Sequence, residues 1–104
     1  DPIHPSMIKL SELILQSAEE INIAVCSLRS MKNIIRIKES LVRVNSLENH
    51  ADDIFDNAVA RLFEDEKNAI EIIKIKEVLS ALETATDKCE DVVNVIESII
   101  VKQA

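Results

Sequence analysis

The chain has 104 residues, no Gly, Pro only at positions 2 and 5, and a formal net charge of −7, a length that suits one domain or one half of a larger protein. Ala, Leu, Ile, Val, Glu and Lys dominate, so nearly every position tolerates helix, and with Phe55 and Phe63 as the only aromatics the composition suits packed aliphatic helices better than a pocket for a flat cofactor. The acidic balance argues against nucleic acid, no apolar run approaches the ~20 residues of a membrane helix, and nothing resembles a signal peptide, so a cytoplasmic protein is expected.

The opening "DPIHP" starts at Asp1, not Met, and looks like a linker or a cut edge, so the chain reads as a fragment. A first helix is expected over about 5–29. Pro5 suits its first turn, and its apolar stripe is Met7, Leu10, Ile14, Ile21, Ala24 and Leu28, with Ser17 as the gap. A charged joint around 30–33 leads into a second helix, about 33–66. The basic run Arg29, Lys32, Arg36, Lys38 and Arg43 reads as a solvated face of an acidic protein, not as an anion site. A third helix is expected over about 69–102, opened by "NAIE", with Asn68 as N-cap and Glu71 as the return acceptor of a capping box. Cys26 and Cys89 stand far apart without a CxxC or Cys/His cluster and read as small buried hydrophobes.

At 1.5 Å per residue the last two helices would each be roughly 50 Å long. Joined by short turns they lie antiparallel, and the expected fold is all-α, an up-down-up three-helix bundle of spectrin-like form.

Within the second helix, Leu41, Asn45, Glu48, Asp52, Phe55, Val59 and Leu62 follow alternating steps of four and three, the spacing of a packed interface. Three polar residues thus occupy a row made for the core. A buried, unpaired carboxylate normally protonates, finds a cation or coordinates a metal; the alternative is that this stretch lies at an open end of the bundle. The third helix carries its apolar face on Ile75, Val78, Leu79, Leu82, Cys89, Val92, Val93, Ile96 and Ile100. Its stretch "ETATDKCED" stacks Glu83, Asp87 and Asp91, and a helical wheel sets Asp87 and Asp91 nearly opposite that face, which favours a solvated stripe.

Height along the bundle points the other way. If the chain folds back around residues 67 and 68, residues whose numbers sum to about 135 come level, which sets Asp52 beside Glu83, Glu48 beside Asp87 and Asn45 near Asp91. Carboxylates sharing one groove cannot all stay ionised without a cation between them. Oxygen ligands in that number suit hard ions such as Mg²⁺, Ca²⁺, Mn²⁺ or Fe, not a zinc site built on thiolate or imidazole. From the polar side of the third helix, such a metal is expected on the bundle's surface. His50 points away from Glu48 and Asp52 on the wheel and reads as a surface histidine, and His4 gives no usable signal.

The segment "LENHADDIFDNAVARLFEDEKNAIEIIKIKEVLSALETATDKCEDVVNVIESIIVKQA", and most specifically "TDKCEDVVNVIESIIVK", resembles the C-terminal part of the PhoU-like proteins, in the branch of phosphate-transport regulators associated with Pit-type phosphate transporters. The likeness extends more loosely back to "DPIHP". It implies a six-helix protein of two similar three-helix bundles, with this chain as the second. The family's metal motif, an acidic residue followed four positions later by Asp, carries over to "ENHAD" as Glu48 and Asp52 and to "DKCED" as Asp87 and Asp91. "DDIFD" (Asp52, Asp56) and "ETATD" (Glu83, Asp87) fit the same loose pattern, while His50 stands where a further acidic residue is expected.

The resemblance implies a non-enzymatic cytoplasmic adaptor that adjusts phosphate uptake or signalling by binding a transporter or a sensor kinase at the inner face of the membrane. Its implied cofactors are divalent or trivalent metal ions, Fe, Mn, Mg, Ca or Zn. A metal-free structural bundle that forms a homodimer through its apolar surface is the alternative. A di-iron carboxylate enzyme would need Glu-x-x-His on paired helices, and neither His stands three residues after a Glu. No Ser–His–Asp order, Gly-rich phosphate loop or Cys–His pair supports other catalysis.

Overall fold

The computed structural model describes residues 4–30 and 34–103 and holds three helices, α1 (Pro5–Ser30), α2 (Ile34–Asp65) and α3 (Ala69–Gln103). No strand occurs among the described residues. Each helix packs on the other two, and the all-α three-helix bundle measures 55 × 20 × 15 Å along its principal axes. Of the joint expected around 30–33, residues 31–33 lie outside the described residues, Lys32 of the basic run among them, and Ser30 closes α1.

Both helix starts that can be followed are capped by side chains, which satisfies amide donors that have no partner inside the helix. At α1 the cap is His4, whose Nδ1 accepts the amide of Ser6 at 3.3 Å and whose carbonyl accepts that of Met7 at 2.9 Å. At α3, Asn68 is the N-cap, its Oδ1 accepting the amides of Ile70 at 2.9 Å and Glu71 at 3.3 Å. The expected return bond from Glu71 does not form. Glu66 lies in the turn itself, and its Oε1 accepts the amides of Lys67 at 3.1 Å and Asn68 at 3.0 Å, while Glu71 approaches Lys74 at 3.9 Å.

The core is divided in two. One apolar cluster joins Ala24 of α1, Ile37, Leu41 and Val44 of α2, and Val93 and Ile96 of α3. The other joins Leu10 and Leu13, Ala51 and Ala58, and Leu79. Most of the expected stripe residues of α1 pack in these clusters, but Ser17 is buried among them and is no gap. Cys26 departs from expectation and is exposed. Two residues beyond buried Ala24, a turn of about 200° carries it to the outer side of α1, where its thiol meets Asn22 Oδ1 at 3.8 Å. Cys89 is half-buried against the first cluster. Val78 and Val92, placed on the apolar face of α3 by periodicity, lie at its margin and are exposed.

Candidate metal centre

Between the two apolar clusters every helix changes character at one level. On α1 the run from Leu13 to Ala24 passes through Ser17 and Glu20; on α2 the run from Val44 to Ala51 passes through Glu48; on α3 the run from Leu79 to Val93 passes through Thr86, and these four polar residues are all buried. A polar layer therefore crosses the bundle near its middle. Its neutral member on α3 is satisfied locally, since the Thr86 hydroxyl donates to the Glu83 carbonyl at 2.6 Å. On α1, Glu20 Oε2 accepts from Arg43 Nε at 3.2 Å, while Oε1 is buried without a hydrogen-bond partner.

The carboxylates gather where α2 and α3 meet. One ligand oxygen each from Glu48, Asp52 and Asp87 lies within 4.8 Å of the others. Glu48 is only 7% exposed, and Asp52 and Asp87 are half-buried. The four-residue step from Glu48 to Asp52 sets both on one face of α2, and Asp87 meets them from α3. Glu83 lies beside the group, where Asp52 and Asp87 both act on its carboxyl. The fourth expected ligand, Asp91, is exposed and stands outside the three-oxygen group. His50 is exposed, as its position on the wheel indicates.

Two expectations are corrected here. Glu48 and Asp52 do not sit at an open end of the bundle, because apolar clusters flank them on both sides along α2. Asp87 is not on a solvated stripe. α3 packs against two helices, so its covered arc is wider than one apolar face, and Asp87 falls at the edge that borders α2. Asp52 and Asp87 are half-buried and Glu48 is buried, so the group lies at the flank of the bundle with one donor reaching inward.

Crowded carboxylates in a partly dry place hold their protons. Burial, the hydrogen bond to Asp52 and the charges of Asp52, Glu90 and Asp87 raise Glu48 from 4.5 to about 7. Burial, the Asp52 hydrogen bond and the charge of Asp87 likewise raise Glu83 from 4.5 to about 7. Every one of these influences pushes upward, and no positive charge is among them.

The donor set fits a hard cation. Metal–oxygen bonds of roughly 2.0–2.6 Å put the oxygens around one ion no more than about 5 Å apart, a condition that Glu48, Asp52 and Asp87 meet. Glu83 is the further oxygen donor at hand, and no thiolate or imidazole belongs to the group. The sequence motif alone ranks Asp91 above Glu83. The level pairing with Asp52 was the signal that favours Glu83, whereas nothing in the periodicity marks Glu20 as buried.

No family model matches the chain. Among curated proteins, the chain is similar to the UPF0111 protein YkaA of Bacillus subtilis (strain 168), with 29% identity over 96 residues that cover 92% of this chain and 46% of the relative. The chain thus spans about half the length of the curated relative it matches.

Proposed function

We propose that the chain is one three-helix half of a PhoU-like regulator of phosphate transport, a metal-binding adaptor without enzymatic activity that acts on a Pit-type transporter or a sensor kinase from the cytoplasmic side of the membrane. The convergence of Glu48 and Asp52 of α2 with Asp87 of α3 within 4.8 Å carries the metal-binding part of this reading. Similarity to about half of a longer relative supports the two-bundle arrangement. Among the described residues no helix is long and apolar enough to cross a membrane, which suits a protein that reaches the membrane through a partner.

In this reading Glu48, Asp52 and Asp87 hold the cation, with Glu83 beside them and Asp91 at the solvent edge. The ion supplies the positive charge that the raised carboxyls lack. Stripping the protein with a chelator and titrating Mn²⁺, Fe²⁺ or Mg²⁺ then raises the melting temperature, because a ligand that binds only the folded state stabilises it. Asp52→Ala combined with Asp87→Ala abolishes the rise; a double variant that responds like the parent refutes the site. A pull-down of the full-length protein with a phosphate transporter tests the adaptor role.

A second reading, a metal-free dimerisation module, is favoured by the outward apolar residues of α3, among them Ile70, Ile73 and Val95. It predicts a dimer in sedimentation velocity that chelator leaves intact, and no response of the melting temperature to metal.

A further inference from the structure

We infer that the α2–α3 groove running from the carboxylates toward the far end of the bundle is the docking surface for a basic amphipathic helix of a partner protein. This deepens the adaptor reading, on which it rests, by naming the partner's chemistry. A cavity of about 320 Å³ opens in that groove between Leu41, Val42 and Asn45 of α2 and Glu97, Ile100 and Val101 of α3. Two of its apolar wall residues are left in water, Val42 67% and Val101 72% exposed, and outside the cavity Ile35, two turns before Val42 on α2, is 73% exposed. An exposed apolar patch with a concave centre and a polar rim is the usual form of a protein-binding surface.

Charge says what covers it. Along α3 the steps from Glu83 to Asp87, Glu90, Asn94 and Glu97 alternate between four and three, so these residues form one stripe down the helix. The stripe starts at the carboxylate group, passes Glu90, whose charge acts on Glu48, and ends at the cavity wall with Glu97. On α2, Asn45 lines the cavity one turn before Glu48, so cavity and carboxylates belong to one groove. An occupant therefore meets an apolar floor and an acidic wall on the α3 side. A helix with apolar side chains at i, i+3, i+4 and i+7 and Lys or Arg on one flank matches both, whereas an anionic membrane or a nucleic acid would meet repulsion. Lys38, at the α2 rim of the cavity, fixes the orientation by pairing with an acidic residue on the helix's other flank.

The test uses the full chain in chelator and a fluorescent helical peptide of Leu and Lys with a single apolar stripe, read by anisotropy at physiological salt. The comparison peptides are one with Glu in place of Lys and one of the same Leu/Lys composition scrambled to destroy the stripe. The striped Leu/Lys peptide is expected to bind about tenfold or more tightly than either. Val42→Asp is the decisive variant, with Val101→Asp as its companion at the opposite wall; both sites are exposed, and circular dichroism confirms the fold. Each substitution makes the protein more acidic, so adhesion by charge alone predicts tighter binding, while a seated apolar stripe predicts a loss of about tenfold. Unchanged or tighter binding by these variants, or equal binding of the scrambled or Glu peptide, overturns the inference. Failure here leaves the metal-dependent rise in melting temperature untouched, and absence of that rise leaves the peptide result untouched, so the two readings fail separately.

Discussion

Replacing Glu48 with Gln separates the electrostatics of the carboxylate group from its packing, because the amide keeps the shape and hydrogen-bonding reach of a carboxyl without ionising. In the metal-free protein Glu48 is raised from 4.5 to about 7, chiefly by burial and then by Asp52. The folded protein therefore keeps a proton that the unfolded chain releases. The group's contribution to stability is complete below pH 4.5 and is lost as the pH rises through about 7. At roughly 1.4 kcal/mol per pH unit the loss across that window approaches about 3 kcal/mol. Glu83 draws on the same Asp52 and Asp87, so its shift overlaps with that of Glu48 and the two do not add. Glu48→Gln should match the parent at pH 4 and exceed it at pH 8 by about 1–3 kcal/mol, an increase in melting temperature of roughly 4–8 °C for each kcal/mol in a domain of this size. Urea unfolding in chelator at the two pH values, followed by circular dichroism, measures both. An equal gain at pH 4 and pH 8 would show that the benefit is packing; no gain at pH 8 would show that Glu48 is not held above its ordinary value. Under saturating Mn²⁺ the order should reverse, since the parent then exchanges its proton for a cation that Gln holds poorly.

Three further substitutions probe the frame around the site. Asn68→Ala removes the acceptor of the Ile70 and Glu71 amides and should cost about 1 kcal/mol in urea unfolding, with hydrogen exchange quickening first in the opening turn of α3. Leu79→Ala empties the position of a fully buried side chain in the second apolar cluster and should cost roughly 2–5 kcal/mol. Arg43→Met strips the partner from Glu20, whose other oxygen already lacks one, and should cost on the order of 1–3 kcal/mol. Adding Glu20→Leu should recover most of that loss, and a double variant no better than the single one would mean that the pair contributes through geometry and not through charge.

The helices were legible in the sequence because a chain without Gly and with long runs of periodic Leu, Ile and Val leaves the backbone few other choices. The level pairing of Glu48 with Asp87 and Asp52 with Glu83 was legible for a similar reason: two long helices joined by a short turn fix height by arithmetic. Facing was harder. A wheel centres one apolar face, but α3 touches both α1 and α2, so residues at the edge of that face, Asp87 and Glu83 among them, are drawn inward. Ser17 stood in the stripe of α1 as its gap, whereas the burial of Glu20 was hidden because it lies beside that stripe and not in it. The cap from His4 to Ser6 was hidden because the bond depends on how one side chain turns. Glu66 outdid Glu71 at the turn for the same kind of reason: both are spaced to reach the exposed amides, and the structure chooses the one already lying in the loop.

A bundle with aliphatic residues at positions 48, 52 and 87 would extend the two apolar clusters toward each other along α2 and α3 and gain stability from the area each one buries. The carboxylates that stand there instead weaken the metal-free fold as the pH rises toward 7, and natural proteins keep such a burden mostly where function uses it. What relieves it is a proton or a cation. Ser17 and Glu20, Glu48, and Thr86 lie on three different helices between the same two clusters, so the site at the α2–α3 boundary borders a polar layer that runs through the mid-section. A cation held by Glu48, Asp52 and Asp87 would clamp α2 to α3 at the head of the groove that ends at Val42 and Val101. It would also cancel part of the acidic field that a basic partner helix meets. Clamping favours a preformed groove and charge cancellation opposes binding, so the salt dependence of peptide affinity, compared between chelated and Mn²⁺-loaded protein, tells which of the two governs: a gain of affinity that persists at high salt points to the clamp, and a loss that is greatest at low salt and fades as salt rises points to the field.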